Sequence, residues 1–119
     1  MSTQKANTQE SLQGLAQGDF SSRDALQSLI AGTYEASGLD PQTFMLVRMA
    51  ALATLDAAPA SWLMNIVVGG EAGLAPEQLL GTLIAIAPVI GTARVVTAAG
   101  NIIKAFYLAG AAGAKGTNE

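Results

Sequence analysis

Apolar residues recur at helical spacing through most of this chain, and proline and glycine cut the pattern into short pieces. Leu26, Leu29, Ile30, Thr33 and Tyr34 fall on one face of a helix predicted over 22–37. Ser21 or Ser22 serves as its N-cap, Asp24 sits near its positive end, and Gly38 supplies a left-handed stop. The next start signal is the clearest in the sequence. Asp40 can cap free amides, Pro41 enters at the first helical position, and Leu39 can staple onto Phe44. That helix reaches about residue 55 and is apolar nearly all round, which predicts burial on most sides.

A third helix is predicted over 59–72, carrying Trp62, Leu63, Ile66 and Val67 and stopped by Gly73. Gly69 and Gly70 each cost it about 1 kcal/mol relative to alanine, so they signal either a close approach by another helix or early fraying. Pro76 opens a fourth helix with Glu77 in its first turn. Leu79, Leu80, Leu83, Ile84 and Ala87 form its stripe, and it is expected to end before Pro88. Gly91 and Thr92 break and recap the chain before a fifth helix over 93–108.

Residues 1–20 are polar and glutamine-rich, which predicts a flexible arm, and residues 110–119 are expected to form a frayed glycine- and alanine-rich tail. No strand alternation of useful length occurs. The expectation is one all-α domain spanning 21–109.

Composition sharpens this picture. Between residues 41 and 108 only six side chains are charged, namely Arg48, Asp56, Glu71, Glu77, Arg94 and Lys104. A soluble domain has about a quarter of its residues charged, so this stretch calls for burial against other subunits. The net charge of −3 leaves no basic surface for nucleic acid phosphates. Cysteine and histidine are both absent, which removes disulfides, thiolate nucleophiles, imidazole bases and the usual metal ligands. No metal and no cofactor is expected. The greasiest run, 79–96, is interrupted by Pro88, Gly91 and Arg94 and falls short of the ~20 apolar residues a membrane span needs. The amino-terminal segment has neither the pattern of a secretory signal nor that of an anchor, so a cytoplasmic location is expected.

The run LDPQTFMLVRMAALATL, followed by a short turn and then GGEAGLAPEQLLGTLIAIAPVIGTARV, resembles the carboxymuconolactone decarboxylase and alkyl hydroperoxidase D-like family over residues 38–108. Glu71, Ala72, Gly73, Pro76, Glu77, Ala87, Pro88, Gly91 and Arg94 carry the most specific part of the likeness. The resemblance implies a short-helix subunit that assembles into homotrimers or hexamers. In the peroxidase branch it also implies a helix-borne glutamate, a Cys-x-x-Cys pair and a histidine four residues on. The glutamate position falls here on Met45. The cysteine and histidine positions fall on Ala57, Ala60 and Met64 counted forward, or on Ala58, Ser61 and Asn65 counted back from Gly73. Neither register supplies a thiol or an imidazole, so thiol peroxidase chemistry lacks its nucleophile.

Four charged residues remain as catalytic candidates. Arg48 either pairs with Asp56 or Glu71 at a subunit interface or holds a substrate carboxylate. Arg94 carries the same two readings and can also cap the carbonyls before it. Asp56 reads first as a cap on the third helix. Met45, Met49, Trp62 and Met64 read as packing. If the family's reaction space persists as an apolar pocket, these four line it with Asn65 orienting a ligand. Two functions follow. One is a non-redox oligomeric protein that binds a small hydrophobic or carboxylate ligand. The other is a decarboxylase, isomerase or lactone-processing enzyme acting on a small organic acid through its arginines and carboxylates.

Overall fold

In the computed structural model, which describes residues 2–17, 19 and 24–117, the described residues form six helices joined by short turns, with no strand. The chain divides into two units, Met1–Leu39 and Asp40–Glu119. The first holds α1 (Ser2–Ala16) and α2 (Asp24–Ser37); the second holds α3 (Pro41–Thr54), α4 (Pro59–Glu71), α5 (Pro76–Ile90) and α6 (Thr92–Thr117).

Helix α1 occupies the segment expected to be an unstructured arm. Its glutamines, alanines and leucines favour a helix against serine, threonine, asparagine and glycine that do not, and it carries no apolar stripe. In α2, Thr33 Oγ1 donates to the Leu29 carbonyl at 2.7 Å, and Gly38 ends the helix at φ +67°. The caps expected at Ser21 and Ser22 lie outside the described residues.

Helix α3 begins as its sequence dictates. Asp40 adopts an extended conformation and its Oδ2 accepts the Thr43 amide at 3.3 Å, with Pro41 in the first turn. Burial is less complete than expected. Phe44, Met45, Met49 and Ala53 form the inner stripe, whereas Val47 and Ala51 face outward in the single chain. The helix closes on a Schellman motif in which the Ala57 amide donates to the Leu52 carbonyl at 3.1 Å and the Asp56 amide to Ala53 at 3.4 Å. The left-handed residue of that motif is Asp56, at φ +52°, where glycine is more usual. Asp56 therefore ends α3 and does not cap α4, whose N-cap is Ala58, without a side-chain bond.

Helix α4 ends by the same device with glycine in place. Gly73 has φ +89°, and the Leu74 amide reaches the Gly69 carbonyl at 2.9 Å. Gln78 Oε1 then accepts the Ala75 amide at 2.8 Å to start α5. Pro88 lies inside α5, which continues to Ile90. The expected stop before Pro88 does not occur, because a proline this close to the helix end removes one hydrogen bond and its ring lies on an exposed face. Helix α6 runs on to Thr117, beyond the boundary expected near 108, through an alanine-rich stretch whose propensity offsets its isolated glycines.

Within the second unit, α3 touches α4, α5 and α6, and α6 packs along α4 and α5. The core consists of Trp62, Leu79, Leu83, Ile102 and the inner stripe of α3, with Ala98 and Ala105 letting α6 approach closely. Gly69 belongs to this contact. A Cβ built there would stand 3.0 Å from Met49 Cε and 3.2 Å from Leu74 Cδ1, so close approach and not fraying explains that glycine. Gly70 has open space around it. No described helix is long and apolar enough to cross a membrane.

Candidate functional site

The polar candidates separate into two places. Arg94, in the first turn of α6, donates from Nη1 to the Thr54 carbonyl at 2.6 Å and to Asp56 Oδ2 at 2.9 Å. Both partners of this ion pair are about half exposed. Arg94 thus caps one carbonyl, at the end of α3 and not just before it in sequence. Nearby, Asn101 Nδ2 donates to the Ala57 carbonyl at 3.2 Å, so α6 secures the α3–α4 turn at two points.

Arg48 pairs with neither Asp56 nor Glu71. Its Nε donates to Asn65 Oδ1 at 2.9 Å, and its Cζ lies 5.5 Å from the centre of the Phe44 ring. Asn65 is 2% exposed, and its Nδ2 donates to the Ser61 carbonyl at 2.8 Å one turn earlier in α4. Both ends of the amide are therefore used, which fixes its orientation. Glu71, the last residue of α4, is exposed.

Of the five residues expected to line an apolar pocket, Met45, Met49, Trp62 and Asn65 are buried and Met64 is half-buried, and Met49 borders an open space. That space is a cleft of about 200 Å³ between the end of α4, the start of α5 and Phe106 of α6. Ile66, Leu74, Pro76 and Leu79 complete its apolar walls, and Gly69 and Gly70 lie along one side. Gly70 leaves room, because a Cβ built there would meet nothing within 4 Å, whereas the space at Gly69 is already taken by Met49 and Leu74. Phe106 reaches the cleft through the packing of α6 beside α4.

Trp62 is fully buried, and its Nε1 meets no hydrogen-bond acceptor among the described residues. Among the described residues no cluster of acidic side chains is arranged to hold a metal ion. No family model, curated protein or solved structure matches the chain.

Proposed function

We propose that the chain is a non-redox, homo-oligomeric helical protein of the carboxymuconolactone decarboxylase-like type that binds a small hydrophobic or carboxylate ligand. The cleft carries this reading. It is walled by apolar side chains, its lining includes no titratable group, and its volume of about 200 Å³ suits a ligand of roughly one aromatic ring. An apolar cavity of about 150 Å³ is already enough to hold benzene. The enzymatic alternative draws no comparable support. Asp56 and Arg94 are engaged with each other at the surface, and Glu71 lies outside the cleft.

Self-association is supported by the outer faces of the last two helices. Val96, Gly100, Ile103 and Tyr107 make one exposed line on α6, and Leu80, Gly81 and Ile84 another on α5. A single chain in water leaves these side chains solvated at a cost of about 25 cal/mol per Å². A trimer or hexamer gives them a partner.

The test combines sedimentation velocity with methyl NMR of ¹³C-labelled methionine. An assembly larger than a monomer is expected, together with a toluene-induced shift of the Met49 methyl that Gly70→Phe abolishes by filling the cleft. A monomer at all concentrations, or a Met49 methyl indifferent to toluene, would overturn the reading.

A further inference from the structure

We propose that Arg48 is a preorganised receptor for a carboxylate group, held in its receiving orientation by Asn65 and Phe44. Arg48 is not among the residues lining the apolar cleft, so this site goes beyond the ligand-binding reading given above. Arg48 is the one charge in α3 and is half-buried. A half-buried guanidinium usually lies beside an acid, since an uncompensated charge withdrawn from water is costly. Here its protein partner is a neutral amide. Asn65 fixes the Nε end without neutralising the charge, and Asn65 cannot turn away because its Nδ2 is committed to the Ser61 carbonyl.

The rest of the geometry leaves one mode of recognition open. Nε is spent, and the Phe44 ring lies 5.5 Å from Cζ, so the guanidinium is held from one end and supported by the ring. Among the described residues no acceptor or carboxylate meets the two Nη groups. Their outer edge presents two roughly parallel N–H donors, which matches the two oxygens of a carboxylate. The carboxylate can belong to a free small acid or to a side chain of a second copy of this chain, and both make the same bidentate contact.

Benzoate is a suitable probe, followed through the ¹⁵N-labelled arginine Nε resonances, with neutral benzamide as control. Benzoate is expected to shift the Arg48 Nε signal and benzamide to leave it in place. Arg48→Gln is expected to weaken benzoate by roughly tenfold or more, the loss of a charge-assisted pair. Arg48→Lys retains the charge but loses the fork, and should fall between the two. Where benzoate does not bind but Arg48→Gln dissociates the assembly in sedimentation, the carboxylate comes from a second copy and the receptor role stands. If benzoate fails to bind and Arg48→Gln leaves the assembly intact, the proposal is overturned. The toluene response of Met49, measured on the same Arg48→Gln protein, separates that failure from failure of the cleft reading.

Discussion

Arg94 and Asp56, far apart in sequence, meet at 2.9 Å where α6 begins and α3 ends. The same Arg94 nitrogen donates to the Thr54 carbonyl at 2.6 Å, so one side chain serves both the acid and a carbonyl left over at the helix end. A cation is poorly placed at the positive start of its own helix, but here its charge lies against the negative end of another. The pair is a surface contact between helices, and its consequences are for stability.

Arg94→Gln is therefore expected to lower stability only modestly, by about 1 kcal/mol or less, because exposed ion pairs contribute little. Asp56 carries a second effect through its positive φ. Asp56→Val places a β-branched side chain in the left-handed region and should cost about 1–2 kcal/mol or more. Asp56→Gly relieves the backbone while losing the ion pair and should come out close to wild type. Urea denaturation of the three variants checks this ordering, and Asp56→Val matching Asp56→Gly would contradict it.

Trp62 predicts an unusual pair of results. Its indole fills the core, so Trp62→Ala should cost about 3–5 kcal/mol. Its Nε1 donor is buried without an acceptor, a condition that costs about 1–3 kcal/mol by itself. Trp62→Phe removes that donor along with some volume and is expected to lose no more than about 1.5 kcal/mol. A loss as large as that of the alanine variant in thermal or urea melts would show that Nε1 has a partner.

The open glycines distinguish a free surface from a covered one. A Cβ at Gly100 meets nothing within 4 Å in the single chain. Gly100→Ala should raise protomer stability by about 0.5–1 kcal/mol through helix propensity. On the assembly predicted above, the bulkier Gly100→Gln should weaken self-association. Sedimentation at several concentrations reads the second effect, and unchanged association in Gly100→Gln would remove this face from the interface.

Asp40 gives a pH dependence with a definite sign. Hydrogen bonds from the Thr43 side chain, and then from its backbone amide, hold the Asp40 carboxyl below its ordinary value of 3.8. The folded protein therefore favours the ionised form. This contribution is fully present above the unfolded pKa and is lost as pH falls through the lower folded value. Melting temperatures measured from pH 7 down to pH 2 should show the wild type losing stability below about pH 4 more steeply than Asp40→Asn, which caps without titrating. Parallel curves would exclude the effect.

Most of the helix boundaries were legible because local chemistry sets them. Asp40 with Pro41 starts α3, Pro59 starts α4, Pro76 starts α5, and Gly38, Gly73 and Gly91 each take the positive φ expected of a break. The misses were also local. Pro88 predicts a stop, but a helix near its end tolerates the loss of one bond, and the polar composition of residues 1–20 predicts an arm, but α1 forms there. Gly69 was placed correctly at a close contact, whereas Gly70 beside it faces open space; the backbone requirement is similar, and only the neighbours differ.

Helical segmentation, sparse charge and the lack of any thiol or imidazole follow from the order of residues alone, because propensity, capping and composition act within a few residues of one another. The partners of the polar side chains follow from how the helices pack. Arg48 could have met Asp56, Glu71 or a ligand, and the α3–α4 packing gave it Asn65 and Phe44. Asp56 could have capped α4, and the approach of α6 gave it Arg94. The cleft formed where Phe106 came to lie beside two glycines of α4. Such contacts depend on the relative placement of helices, which packing of the whole core sets and no short stretch of sequence encodes.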